Sequence, residues 1–186
     1  MRKFFNLNIK YIRFIKKNIL SGLYFIIFFF SCSSCSVNYS LSGASISPDV
    51  KSVSVQFFPN NSLLVNPALS QQFTDALKDK FISQTSLKLI NGTGDLNFEG
   101  EITDYNTKPK AILENDIAAM NRLTITIRVK YSNSKDPDSK YDFDKTFTRF
   151  EDYDSSKDLG SVESDLTKKI IDQIVEDVFN QSVVNW

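Results

Sequence analysis

Residues Asn121 to Tyr131 read NRLTITIRVKY. Leu123, Ile125, Ile127, Val129 and Tyr131 fall on one side of an extended chain, and Arg122, Thr124, Thr126, Arg128 and Lys130 on the other. Strict alternation over so many residues describes a long strand with one apolar and one polar face. The pattern also demands a sheet, because the apolar row needs neighbours beside it and a layer above it. The Asp136-Pro137-Asp138 turn follows, and Tyr141, Phe143, Phe147 and, with a slip of phase, Phe150 form the returning strand. Asp142 and Asp144 then fall near Arg128 and Lys130 on the shared polar face.

Upstream, Val53, Val55 and Phe57 alternate with Ser54 and Gln56, predicting a half-buried strand that Pro59-Asn60-Asn61-Ser62 ends. Asn66 and Pro67 are suited to the cap and first position of a helix, and Leu69, Phe73, Ala76, Leu77 and Phe81 step by three and four to about Thr85. Leu87 and Leu89 suggest a short strand. Asn91 to Asp95 (NGTGD) reads as a hairpin-type turn, the cheaper explanation of what is also a glycosylation sequon. Leu96, Phe98 and Ile102 continue as a strand to about Tyr105, and periodicity is lost from Asn106 to Met120. That stretch reads as a loop holding Lys108-Pro109-Lys110 and the acids Glu114 and Asp116, of a length often associated with function or mobility. A second helix carries Leu159, Val162, Leu166, Ile170, Ile174 and Val178, widened by Ile171, Val175 and Phe179, with Ser161, Ser164 and Asp165 available for capping. The order β-α-β-β-β-β-α predicts an α+β fold. It is a two-layer sandwich, with two helices on one face of a four- to five-stranded, mainly antiparallel sheet.

The front of the chain belongs to a different environment. Of 22 basic and 22 acidic residues, the first 35 positions carry six bases and no acid, leaving 16 bases against 22 acids and a net charge of −6 for the rest. A basic segment Met1 to Lys17, an apolar run of 12 residues from Ile19 to Phe30, and Ser31 to Ser36 (SCSSCS) make the three parts of an export signal. The apolar run falls short of the roughly 20 residues of a permanent span. A cysteine after small residues at this point is where bacterial lipoproteins are cut and acylated. Cys35, behind Ser33 and Ser34, suits that processing better than Cys32, which remains the alternative. A non-lipidated signal and an uncleaved anchor are the other readings. The domain reading is signal peptide 1–34, acylated tether 35–48 and one domain 49–186.

Chemistry is sparse. There is no histidine, and both cysteines lie in the front segment, which excludes His-dependent triads, ordinary zinc sites and a thiol nucleophile in the body. No phosphate loop, dinucleotide fingerprint or nucleophile elbow is present. The paired acids Asp136/Asp138 and Asp142/Asp144 fit a solvated face better than an acid–base pair, and no cofactor, metal or catalytic residue is expected. The net-acidic body argues against nucleic-acid binding. The basic face Arg122, Arg128 and Lys130 suits phosphate or carboxylate groups such as a glycolipid headgroup. Its other reading is an exposed face neutralised by Asp142 and Asp144.

Several runs taken together resemble one family. They are Tyr39 to Ile46 (YSLSGASI), Asn66 to Ser70 (NPALS), Gly94 to Gly100 (GDLNFEG), Asn121 to Ile125 (NRLTI), Val178-Phe179-Asn180 and Val184-Asn185-Trp186. In combination they resemble the LptE-like lipoproteins of Bacteroidota across nearly all of residues 35–186. The resemblance implies a two-helix, four-stranded sandwich and a non-enzymatic subunit of the lipopolysaccharide assembly machine. It also implies lipid anchoring at the periplasmic face of the outer membrane, through Cys35. Such a subunit plugs an LptD-type β-barrel, helps it fold and contacts lipopolysaccharide. An accessory lipoprotein of another envelope complex, in peptidoglycan synthesis or secretion, is the alternative.

Overall fold

The computed structural model describes residues 46–64, 66–110, 119–136, 138 and 140–183. The export signal, Cys32, Cys35, Glu114, Asp116, Pro137 and the last three residues lie outside the described residues. The elements are β1 (Ser52–Val55), α1 (Leu69–Gln84), β2 (Lys88–Leu89), β3 (Leu96–Pro109), β4 (Met120–Asn133), β5 (Phe143–Asp154) and α2 (Leu159–Val183). They form one five-stranded sheet in the order β2-β1-β3-β4-β5. β3, β4 and β5 run antiparallel in sequence, while β1 is parallel to both its neighbours.

β4 is the central strand that its alternation predicts. Leu123, Ile125, Ile127 and Val129 are wholly buried, and Tyr131 is nearly so. The helices supply the other half of the core from the predicted stripes: Leu69, Phe73, Leu77 and Phe81 on α1, Ile170, Ile174 and Val178 on α2. Each such side chain contributes roughly 1.5–3 kcal/mol by leaving water. A run of rings binds the layers together: Phe179 to Phe81 (5.2 Å), Phe81 to Phe98 (4.8 Å), Phe98 to Tyr131 (4.9 Å) and Tyr131 to Phe143 (5.3 Å).

Five local expectations differ. First, β1 ends at Val55, and the chain changes phase, so that Phe57 is exposed and Phe58 fully buried. Ser54, expected on the wet side, is also buried; its hydroxyl donates to the Asn97 side chain (2.7 Å) and accepts from the Gly94 N–H (2.8 Å).

Second, residues 90–95 do not close a hairpin. β1 lies between β2 and β3, so the chain must cross over β1 to pass from one neighbour to the other. Gly94 makes that crossing, with its backbone against β1. A Cβ there would stand 2.8 Å from the Ser54 nitrogen and 2.9 Å from the Val53 carbonyl carbon, closer than atoms pack. Asp95 ties the crossing down by accepting the N–H groups of Lys51 (2.8 Å) and Ser52 (3.0 Å) and the Ser52 hydroxyl (3.0 Å). These bonds hold its carboxyl at about 2, well below the usual 3.8.

Third, β3 runs on through Asn106, Thr107 and Lys108 to Pro109, paired with β4 as far as Asn121, where a loop was expected. A bulge at Thr103 shifts the phase, so Tyr105 faces the core at three residues from Ile102 rather than two.

Fourth, β5 keeps its phase, and Phe150 opposite Thr124 therefore lies on the polar face, about half exposed. Tyr153 fills the inward place instead.

Fifth, α1 begins at Leu69. Asn66 caps the preceding turn, accepting the Ala68 N–H on its side-chain oxygen (3.0 Å). At α2, Ser161 lies inside the first turn and donates to the Asp158 carbonyl (2.7 Å).

Candidate functional site on the open sheet face

The helices cover one face of the sheet. The polar residues of β3, β4 and β5 cover the other, and alternation alone puts Arg122, Arg128 and Lys130 together on it. Their chemistry there differs. Arg128 forms a two-pronged pair with Asp144 (Nε to Oδ1 2.8 Å, Nη2 to Oδ2 2.6 Å). Lys130 donates to Glu99 Oε1 (2.7 Å) rather than to either expected aspartate. Asp142 instead accepts the Asn133 N–H (2.8 Å). Hydrogen bonding from Arg128 pulls the Asp144 carboxyl below its ordinary range, and each base is raised by its carboxylate partner. Both bases are therefore internally neutralised, each by one acid.

Arg122 sits differently. It pairs with Asp152 through two bonds (2.7 and 3.0 Å), and its guanidinium stacks over the Phe150 ring at 3.6 Å. Asp152 is shared, with Lys110 Nζ 3.6 Å away. The Asp152 carboxyl is held low, first by the Arg122 hydrogen bond. Lys108 faces Arg122 across the β3–β4 ladder, with no ion-pair partner among the described residues. These bases border an open groove of about 620 Å³, whose lining also includes Asp104, Asn106, Thr124 and Thr148. The arrangement offers hydrogen-bond donors and a local excess of positive charge on a rigid antiparallel platform. Lys108 and Lys110 were not counted with Arg122, Arg128 and Lys130 because the sequence put them in a loop, whereas Lys108 lies on β3 and Lys110 directly follows it. The available signal was the Lys-Pro-Lys spacing, which puts two bases on one side of an extended chain.

No curated protein matches the sequence. The family model described as LptE, lipopolysaccharide-assembly, matches residues 50–182, which take in all five strands and nearly all of both helices. The chain belongs to the LptE family. LptE proteins are outer-membrane-associated lipopolysaccharide-assembly lipoproteins and are not known as an enzyme family. Among solved structures, a hypothetical protein from Chlamydia trachomatis is similar at 10% identity and a TM-score of 0.50, over 73% of this chain and 99% of that one. That likeness concerns the fold. A minor lipoprotein from Acinetobacter baumannii is similar at 17% identity and a TM-score of 0.48, over 71% and 91% of the two chains. No helix among the described residues is long and apolar enough to cross a membrane.

Proposed function

We propose that this LptE-family chain is an outer-membrane lipoprotein, acylated at Cys35, whose domain seats inside an LptD-type β-barrel on the periplasmic side. There it assists assembly of the barrel and contacts lipopolysaccharide in transit. The family match across residues 50–182 carries the reading. Two physical features support it. Apart from Phe150 the open face is polar, and Arg122, Arg128 and Lys130 on it are each paired with a carboxylate, which suits a surface facing the polar interior of a barrel. The groove beside Arg122 gathers Lys108 and Lys110, whose charge suits the phosphates of an anionic glycolipid. Arg128 and Lys130 belong to the same face but bring their own counter-ions, so their part in such contact is smaller.

Purification of the complex from detergent-solubilised envelope tests the main reading: a large heat-modifiable barrel should accompany the chain. Recovery of the chain with peptidoglycan-synthesis or secretion components instead, and no barrel, would sink it. Replacing Cys35 with Ala should abolish fatty-acid labelling; labelling that persists would move the anchor to Cys32. For the groove, Lys108→Glu with Lys110→Glu should weaken lipopolysaccharide binding more than Arg128→Glu with Lys130→Glu. The reverse order would place the contact elsewhere on the face.

A further inference from the structure

The chain between β1 and α1 carries two leucines into water. Leu63 is 100% exposed and Leu64 51%. Apolar side chains gain by leaving water, yet this loop holds both away from the core. It is fixed on each side of them. Pro59 accepts the Ile102 N–H (2.9 Å), the Asn61 N–H donates to the Ile102 carbonyl (2.9 Å), and the Asn61 side chain donates to Glu101 Oε2 (2.6 Å). Within the tip, the Asn60 side-chain oxygen accepts the Ser62 N–H (3.0 Å), and the Ser62 hydroxyl donates to the Leu64 carbonyl oxygen (2.6 Å). Beyond it, the Asn66 side chain donates to Glu163 Oε1 on α2 (3.0 Å). A loop held in this way has given up its freedom before a partner arrives, which lowers the entropic cost of binding.

We infer that Leu63 and Leu64 form a docking anchor that enters a local apolar recess in the inner wall of the barrel. The inference rests on the seating proposed above and names a contact that holds the domain there. Two observations tie the tip to that seat. Asn61 joins it to Glu101, which lies opposite Arg128 on the open face, so the tip borders the surface turned to the barrel. Its place along the sheet also fits. The chain runs beside β3 in the same direction, with Val53 next to Leu96 and Asn60 next to Ile102. The tip therefore lies toward the Pro109 end of β3, roughly 20 Å from where the chain enters the sheet at Ser52. Lys108, Lys110 and Arg122 lie toward that same end. A domain tethered through its entry end turns this end into the lumen.

The surroundings select a protein wall over lipid. Asn60, Asn61, Ser62 and Asn66 flank the leucines, and neither a basic nor an aromatic residue stands between Phe58 and Leu69. Segments that enter a bilayer surface are marked by Lys, Arg and Trp. Neutral amide and hydroxyl groups around an apolar centre are instead the make-up of a protein interface, with its apolar core and polar rim. Two leucine side chains supply only a small part of the roughly 800 Å² per partner that a free-standing complex buries. The tip is thus one anchor within a larger contact and not an interface between copies of the chain.

Leu63→Glu with Leu64→Glu, made in the full chain in its own envelope and purified in mild detergent, tests the anchor. The barrel recovered with the chain should fall at least about tenfold, while the unfolding midpoint of the purified variant stays where it is in the unsubstituted chain. Leu63→Met with Leu64→Met, which keeps the apolar volume, should retain the barrel. A benzophenone amino acid in place of Leu63 should photo-crosslink to the barrel polypeptide. Equal recovery of the barrel with the glutamate variant overturns the anchor and leaves the seating standing. No barrel with the unsubstituted chain overturns both. A crosslink from position 63 to phospholipid or to a second copy of the chain, with none to the barrel, also overturns the anchor.

Discussion

β4 shows two kinds of surface on one strand. Its covered side, Leu123 to Tyr131, is buried against the helices and aromatic rings, and each position is constrained by everything packed around it. Its open side is a set of separate pairs: Arg122 with Asp152, Arg128 with Asp144, Lys130 with Glu99. Removing one pair there leaves the rest in place. A close-packed interior transmits every change of volume, whereas exposed ion pairs trade protein partners for water at little cost. The covered side therefore maintains the fold, and the open side is free to be shaped for a partner.

Four measurements sharpen or break that contrast. Phe98→Ala, at the centre of the ring contacts, should cost about 3–5 kcal/mol in denaturant unfolding with the m-value unchanged. A loss as small as an open-face substitution would remove the distinction between the sides. Gly100→Ala comes next, at about 1–3 kcal/mol, because a Cβ there would run into the Arg128 carbonyl oxygen and the Phe58 ring. Its loss should include slower hydrogen exchange being lost along β3 and β4, and a neutral result would mean the two strands can separate locally without penalty.

The third is a pH effect. Asp95 has its folded value lowered from 3.8 to about 2, so its contribution is fully present above about pH 4 and disappears as pH falls towards 2. Asp144 and Asp152 are shifted in the same direction by their arginines. Acid titration of the unfolding midpoint should therefore show a decline over that window, shallower in Asp95→Asn. With no histidine in the chain, the midpoint should stay flat from about pH 5.5 to 8. A step there would expose a titrating group that these pairs do not include. The smallest effect belongs to Arg128→Ala. It should lower the thermal midpoint slightly at low salt and not at all near 1 M, where the screening length is about 3 Å. A large, salt-independent loss would show that this pair supports the fold after all.

The elements that could be read from residue order were those with an uninterrupted period. β4 kept its alternation from end to end, and the stripes of α1 and α2 kept theirs, so their buried faces were legible before any coordinates. β3 was legible only to Tyr105, because the bulge at Thr103 breaks the count and the inward places beyond it go to Tyr105 and Thr107, which carry a weak apolar signal. The misplaced Phe150 has the opposite cause: its apolarity suggested an inward residue, and the unbroken register of β5 put it outside. The basic face was visible as a face. Its counter-ions were not, since Lys130 took Glu99 from β3 while the sequence offered Asp142 and Asp144 nearer by. Lys108 and Lys110 joined the groove only once β3 proved long enough to carry them there.

Sequence by itself determined which side of each long element is apolar, because that is a local property of spacing along a helix or strand. It also carried the family, through a pattern spread over residues 50–182. Tertiary structure alone decided that β1 lies between β2 and β3, that the NGTGD segment crosses over a strand, and which carboxylate neutralises which base. Those outcomes depend on strand order and register, which are set by burying all the apolar faces together. No short stretch of residues contains that information.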